Sequence, residues 1–565
     1  MKKHNLINSI KLLFLSVCFC MAGCASSTSN STSNTLPKEE LSFLKTENRA
    51  IVNGNGEKVL LKGTNLGGWL HLEGWMDGGG FTGSGDDYTP YNHYAVLSAL
   101  KERFSDEEIE ELLEIYQTAY IQESDLEYIA SLGLNLVRIP FFWTEIMDFD
   151  GNIKSNAFDQ LDWAVNICKK LGMYVLLDLH CAPGGHSGGW VTGGHTDSNE
   201  LWTNKQSQLW TIKIWETLAT HYKDEPTICG YGLLNEPVLP EEGSPISIPE
   251  MYDKLYKAVR AIDTNHIFVM GAFFNFDTLG SPASNNWENV VYETHHYDNG
   301  DMSFENQNLF AAGQLSYIEQ YSKNWNVPVL AGEFNFWSVE SAWRSWLYTL
   351  SARDVSWCNW TYKNIEQNAK MNWGLYHQPE FELVDYKNDT YEEIARKWSG
   401  YKTENYVQNE FLKSIFEDAA KLGWDKIDGD TIDSKNFKVT AYKTESGYDV
   451  SNLFDGSLLT EWVNGESQNG ANQRIEIDAT EPITINRLDV YCPHVSDYGR
   501  KIKISALINN QWVEIATENG YQGNVIIRFE TTSARYWRIE QIETSNFWWQ
   551  INEIFVYLEN RETLE

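Results

Sequence analysis

Cysteine is scarce in this chain, with 8 in 565 residues, and the spacing is irregular. Cys18, Cys20 and Cys24 crowd the amino terminus, leaving Cys168, Cys181, Cys229, Cys358 and Cys492 scattered through the rest. An odd, unclustered set argues against a disulfide framework and against a zinc site. Positive charge is also short: 44 Lys and Arg face 79 Asp and Glu, a formal net charge of −35. A surface so negative repels phosphate backbones and argues against nucleic acid as a partner. Beyond the amino-terminal segment no apolar run approaches membrane-spanning length, and no internal repeat is visible. What the chain has in excess is aromatic surface, 14% of residues, including 23 Trp and 29 Tyr. Such rings either fill a core or offer flat faces for the C–H side of a sugar.

The amino terminus reads as an address. Met1-Lys-Lys is followed by a mostly apolar stretch, Ile10 to Cys20, too short for a comfortable spanning helix. Met21-Ala-Gly-Cys24 resembles a bacterial lipoprotein box, in which Cys24 receives lipid after cleavage before it. A plain secretory signal cut nearby is the alternative. Residues 1–24 are thus expected to be a signal peptide and 25–40, rich in Ser, Thr and Asn, a flexible tether. The corresponding expectation is a monomer held at the cell envelope by lipid, on the periplasmic or cell-surface face of a membrane.

Between residues 41 and 424 strand-like runs alternate with amphipathic segments. The runs are Val59–Thr64, Leu134–Pro140, Met173–His180, Ile228–Glu236, His266–Ala272, Val290–Tyr297, Val327–Phe334 and Val355–Tyr362. That number, with helical patterns such as Asp159–Leu171 between most of them, predicts an α/β fold, a (β/α)8 TIM barrel. The long first gap holds a Gly-rich loop, Gly78–Gly85, and an extra helix opened by the cap signal Ser105-Asp-Glu-Glu. Residues 425–435 read as a linker. Residues 436–565 carry only short strands and predict an all-β sandwich.

Two acids end apolar runs: Glu236 in Tyr231-Gly-Leu-Leu-Asn-Glu-Pro237 and Glu333 in Val327-Pro-Val-Leu-Ala-Gly-Glu-Phe334. The carboxyl ends of barrel strands are where such folds place their chemistry. Two acids facing one another across a sugar ring are the usual machinery of glycoside cleavage. With a retaining mechanism the carboxyls stand about 5–5.5 Å apart. One then needs a raised pKa to donate a proton, and the other must stay ionised to attack. Arg138, in Asn135-Leu-Val-Arg-Ile-Pro140, ends the second run and would favour an ionised neighbour. His180 ends Leu176-Leu-Asp-Leu-His180, and His295-His-Tyr297 ends the sixth run. His296 is the alternative to His295, since a one-residue shift swaps strand faces; the spacing to Tyr297 favours His295.

With these elements in order, the first 400 or so residues resemble glycoside hydrolase family 5, retaining β-glycosidases on TIM barrels. The resemblance rests on Arg-Ile-Pro at Arg138, Leu-His at His180, Asn235-Glu236-Pro237, His295 with Tyr297, Gly332-Glu333-Phe334, and Trp360 on the last strand. It implies Glu236 as acid/base and Glu333 as nucleophile, oriented by Arg138 and Tyr297. Asn235, His180 and His295 would hold the sugar and its surroundings, with Trp360 as stacking platform. Gly63-Thr-Asn-Leu-Gly-Gly-Trp-Leu-His-Leu-Glu73 and Asp178-Leu-His-Cys-Ala-Pro-Gly-Gly185 look like the exo-β-1,3-glucanase branch. There a Glu at the position of Glu73 binds the terminal glucose. The expected substrate is therefore β-glucan, with mannan, xyloglucan or a glycolipid as alternatives. Transglycosylation would share the covalent intermediate. A catalytically silent glycan-binding surface protein is the rival of another class.

The Gly/His-rich stretch His186–Thr196 departs from that branch. With Asp197, His186 and His195 match no standard metal-ligand spacing, and a flexible substrate-contacting loop is the better reading. Cys181 reads as a buried, inert thiol. The chemistry calls for no metal or organic cofactor. The carboxyl-terminal module resembles the discoidin-like family, the coagulation-factor C-type sandwich. It does so through Asn452-Leu-Phe-Asp-Gly456, Thr460-Glu-Trp462, Gln473-Arg-Ile-Glu-Ile-Asp478, Ala534-Arg-Tyr-Trp-Arg-Ile539 and Ile551-Asn-Glu-Ile-Phe-Val-Tyr557. That implies a carbohydrate-binding accessory domain with room for a structural calcium. Trp548 and Trp549 are candidates either for sugar stacking or for the core.

Overall fold

The computed structural model describes residues 41–558, apart from 77–80, 83–88, 91, 189–198, 366–370, 379–381, 421–431, 433 and 435. Cys24 and the tether, most of the Gly78–Gly85 loop, His195, Asp197 and most of the linker lie outside the described residues.

Eight strands close into a parallel barrel: β1 (Lys62–Asn65), β2 (Leu136–Phe142), β3 (Tyr174–Cys181), β4 (Ile228–Gly232), β5 (Ile267–Gly271), β6 (Val290–His296), β7 (Val329–Phe334) and β8 (Ser356–Asn359). They follow one another around the ring, and β8 pairs back onto β1. Every residue of these strands is buried, because helices cover the outside and side chains fill the inside. Leu136, Leu176, Val291 and Leu330 pack together in the lower interior. Side chains alternate faces along a strand, so the residues two places on from Leu136, Leu176 and Val291 also point inward. Those residues are Arg138, Asp178 and Glu293. An apolar floor therefore carries a charged layer at the mouth.

The connecting helices form where the sequence marks them. Helix α1 (Asp106–Tyr120) starts at Ser105, whose hydroxyl accepts from Glu108 N while the Glu108 carboxylate accepts from Ser105 N. This reciprocal pair satisfies two donors that the first turn leaves orphaned. Helix α2 (Asp159–Leu171) buries Leu161, Ala164, Val165 and Cys168 at helical spacing and stops at Gly172 in the left-handed conformation.

The carboxyl-terminal module is an antiparallel sheet. Its strands are β9 (Lys438–Ala441), β10 (Gln473–Cys492), β11 (Lys501–Ile508), β12 (Gln511–Asn519), β13 (Gly523–Gln541) and β14 (Glu553–Tyr557). They lie in the order β9-β10-β13-β11-β12, with β14 on β10. Sequence alone separates Gln473–Asp478 from Ile483–Tyr491, and Val525–Phe529 from Tyr536–Gln541; the structure joins each pair into one long strand. Register shifts after Asp478 and Ile485 bend β10 without ending it, and Pro482 falls in the first of them, where no ladder N–H is needed. Trp549 is core, packed edge-on against Trp462 at 5.2 Å, whereas Trp548 is 43% exposed.

Helix α3 (Glu340–Ala352) joins the two domains. All its residues from Ser341 to Ala352 are buried. Its Ser345 hydroxyl accepts from Asn524 N of β13 at 2.7 Å, and Thr349 Oγ1 meets Tyr491 OH at 2.7 Å. Glu340 accepts both terminal nitrogens of Arg528 at 2.8 and 2.9 Å, and Arg344 Nε at 2.8 Å. Burial would raise the Glu340 carboxyl, but Arg344 and Arg528 hold it well below the usual range. Glu340→Ala would leave these guanidinium groups without their shared anion and is expected to destabilise the protein by about 3–5 kcal/mol. Calorimetric unfolding of the full chain checks this, and an unchanged profile would contradict it.

Candidate active site

At the barrel mouth the guanidinium of Arg138, fully buried on β2, reaches five neighbours. Nη1 donates to Asn65 Oδ1 at 2.8 Å and Glu333 Oε1 at 3.1 Å. Nη2 donates to Asn235 Oδ1 at 2.8 Å and stands 3.0 Å from Asp178 Oδ1. Nε is 2.9 Å from Glu293 Oε1. Burial alone would lower the Arg138 pKa, but Asp178, Glu293 and Glu333 more than reverse that, so the cation is secure.

Glu333 reaches this site because of an irregularity. Thr294 pairs with Ala331 but His295 pairs with Glu333, leaving Gly332 as an extra residue in β7. That bulge turns Glu333 inward. Gly332 has to lack a side chain, because a Cβ there would stand 1.8 Å from Glu293 Oε1. Glu236 lies off its strand altogether. β4 ends at Gly232, earlier than the sequence pattern suggests, and Glu236 follows in a bend with φ 45°. A left-handed backbone at a non-glycine residue is strained, at a cost of about 1–3 kcal/mol.

His295 stands between the two acids. Its Nδ1 is 2.7 Å from Glu236 Oε1 and 3.4 Å from Glu333 Oε2, and one oxygen from each acid lies within 4.8 Å of the other. Burial works against the imidazolium, but Glu333, Glu236 and Glu293 lift the His295 pKa to about 10. Tyr297 donates to Glu333 Oε2 at 2.9 Å. His296 faces away, between Thr294 Oγ1 and Gln314 Oε1, and burial pushes it down to about 3.

Opposing influences act on the Glu333 carboxyl. Burial pushes its carboxyl up to about 7, with Glu236 and Glu293 adding to that and with His295 and Arg138 opposing it. Asp178 is likewise pushed up to about 7 by burial, whereas Arg138 overcomes burial to hold Glu293 below its usual value.

His180 Nδ1 meets Asp178 Oδ2 at 2.8 Å, and burial beside Arg138 keeps the ring neutral. Its Nε2 therefore carries a lone pair, which receives Asn235 Nδ2 at 3.4 Å. Asn235 is thus oriented from both ends, by His180 and by Arg138. Trp360, just past β8 and nearly buried, stacks on His180 with centroids 5.3 Å apart. Glu73, also buried, accepts from Trp75 Nε1 at 2.8 Å and lies 3.8 Å from His180 Nε2. The structure thus gathers Arg138, His180, Asn235, Glu236, His295, Tyr297, Glu333, Trp360 and Glu73 around one mouth.

Sequence reasoning gave no role to Asp178, Glu293 or Asn65. The first two stand two residues before His180 and His295, so strand periodicity was the available signal. It also passed over Trp75 and Trp373, half-buried rings 5.0 Å apart, the second of them 5.7 Å from Tyr297. His186, at the head of the stretch expected to be a flexible substrate-contacting loop, is completely buried, and residues 189–198 of that stretch lie outside the described residues.

A closed parallel barrel with paired carboxylates at its mouth defines an acid–base site suited to glycosides. The description Cellulase (glycosyl hydrolase family 5) matches residues 103–366, and F5/8 type C domain matches 438–554. A "Beta-xylosidase" from Phanerodontia chrysosporium is 34% identical over 263 residues, 46% of this chain and 52% of that protein. A "Probable glucan 1,3-beta-glucosidase A" from Emericella nidulans is 31% identical over 284 residues, 49% of this chain and 67% of that protein. A solved endogalactoceramidase is similar over 87% of this chain and 100% of its own, at 16% identity and a TM-score of 0.47. The chain belongs to glycosyl hydrolase family 5. It spans between about half and two thirds of the length of these two curated relatives.

Arg138→Lys keeps one charge but cannot serve five acceptors spread around a planar fork. It is expected to lower kcat/KM by at least about 100-fold and to reduce stability by about 3 kcal/mol. Steady-state rates and thermal unfolding check this; a variant matching wild type in both would show that a simple point charge suffices.

Proposed function

We propose that this protein is a retaining β-glycosidase acting on β-linked glucosides or xylosides, with β-glucan as the favoured polymer. The observation that carries the reading is the convergence of Glu236 and Glu333 on His295, with oxygens within 4.8 Å. Retaining enzymes hold their carboxyls about 5–5.5 Å apart, whereas inverting ones leave about 6.5–9.5 Å for a water. The relatives' names and the Gly63–Glu73 segment support the choice of sugar.

In the first step Glu236 protonates the glycosidic oxygen as Glu333 attacks the anomeric carbon. The C–O bond to the leaving sugar breaks, and a glycosyl ester forms on Glu333. In the second step Glu236 takes a proton from water, whose oxygen displaces Glu333 and restores both acids. Arg138, Tyr297 and the charged His295 face the nucleophile and stabilise its anion when it forms and when it leaves. Asn235, held by Arg138 and His180, keeps an amide hydrogen available for the sugar's 2-hydroxyl.

Proton NMR of the first-formed product on β-1,3-glucan or an aryl β-glucoside should show the β-anomer. Glu333→Gln should lower kcat by about 10⁴-fold or more while binding persists. An α-anomer would refute retention, and failure of the wild type on every β-glycoside would favour the glycan-binding alternative.

The pH profile offers a second check. The nucleophile must be anionic, and burial holds Glu333 up to about 7 in the empty site. As pH falls through that value the anion is lost, so kcat/KM should fall on its acid side with an apparent pKa near 7. An acid limb near an ordinary carboxylate value, about 4, would show that the free enzyme stabilises the anion more strongly.

A further inference from the structure

His186 has no part in the reaction just described, yet its surroundings are elaborate. Gly184 and Gly185, before it, have φ 80° and 76°. A Cβ on Gly184 would stand 2.7 Å from Ser207 Oγ, so both backbone angle and space demand glycine there. The turn is tied down by Glu200 N on Gly184 O at 2.9 Å and Leu201 N on Gly185 O at 3.0 Å. It delivers the ring and carbonyl of His186 onto the segment that carries Glu236.

The ring's tautomer follows from its partners. Ala182 N donates to Nδ1 at 3.2 Å, so Nδ1 holds a lone pair and the proton sits on Nε2. Nε2 then donates to Asn235 O. Burial also pushes the His186 pKa down to about 4, which keeps this neutral form in place. On the far side of Glu236, Val238 N donates to His186 O at 3.1 Å, and Trp202 Nε1 shares that carbonyl at 2.9 Å. Asn199 Nδ2 donates to Val238 O at 2.8 Å. One residue therefore grips the chain on both sides of Glu236. The carbonyl it holds belongs to the peptide joining Asn235 to Glu236. Rotation of that peptide is what would release the left-handed Glu236 backbone.

We propose that His186 is a positioning residue for the proton donor, holding the 235–238 segment so that the strained Glu236 backbone aims its carboxyl at His295 and the glycosidic oxygen. The inference rests on the reading of Glu236 as donor. It predicts a defect confined to protonation of the leaving group, because Glu333 is anchored separately by Arg138 and Tyr297.

The test uses the full chain and two aryl β-glucosides. Dinitrophenolate departs without help, whereas phenolate needs a proton. His186→Ala is expected to lose about 10–100-fold in kcat/KM on the phenyl glucoside and less than about 3-fold on the dinitrophenyl one. His186→Gln, whose amide can still donate to Asn235 O, should recover most of the loss. If His186→Ala does not fold, His186→Met supplies bulk without a donor and should show the same divergence. Equal losses on both substrates, or none on either, would overturn the proposal, since a merely structural residue does not discriminate between leaving groups. Glu236→Ala runs alongside. Its failure to show the same leaving-group dependence would sink the donor assignment itself, a separate result from the behaviour of His186.

Discussion

The Arg138 guanidinium is the interaction on which this barrel mouth depends. Asp178, Glu293, Glu333 and Glu236 crowd a space from which water is largely removed, and four like charges there could not coexist unaided. Arg138 touches three of these acids and both Asn65 and Asn235, so its planar fork sets spacing as well as charge. His295 supplies the second cation and joins the pair that Arg138 does not bridge. Removing such a charge from water is costly, and the arrangement stands because Nη1 and Nη2 donate to Asn65, Glu333 and Asn235 while Asp178 and Glu293 pair with the cation at 3.0 and 2.9 Å. The price remains visible in Asp178 and Glu333, whose carboxyls burial still drives upward.

Much of this was legible in the amino-acid order. A strand buried on both faces shows as a short apolar run, and eight such runs with helical spacers mark a parallel barrel. Polar side chains ending those runs point to the mouth, which is how His180, His295 and Glu333 stand out, while Arg138, two residues inside its run, stands out through the Arg-Ile-Pro motif. Asp178 and Glu293 escaped because they lie inside the runs and read as ordinary strand residues. Whether an interior acid faces helix or cavity depends on register, and the bulge at Gly332 alters register with a single strand glycine as its mark. Glu236 illustrates the converse: its motif is plain, but the bend that lifts it off β4 arises from long-range contacts. His186 follows the same rule: glycines around a histidine have the local pattern of a mobile loop, whereas contacts with Ala182 and Asn235 fix this ring in the interior.

The join between domains follows similar physics. Trp343-Arg-Ser-Trp-Leu-Tyr-Thr-Leu350 mixes polar and apolar residues as a surface helix would, yet every one is buried in α3. Ser345 and Thr349 face the sandwich rather than water, through Asn524 and Tyr491, while Arg344 reaches Glu340 and Asp418. In the sandwich, turn-like sequence around Pro482 suggested a break where there is only a bend. In both, the outcome depends on pairing with a distant part of the chain, which local pattern does not carry.

The thiols carry a further consequence. Cys168, Cys181, Cys229, Cys358 and Cys492 are all buried and unpaired, and burial raises the pKa of each. With no covalent link between them, these domains need no oxidant to reach their native form and lose nothing to a reductant. Sulfhydryl chemistry is hidden until the packing opens, so alkylation of these positions would count molecules that have come apart.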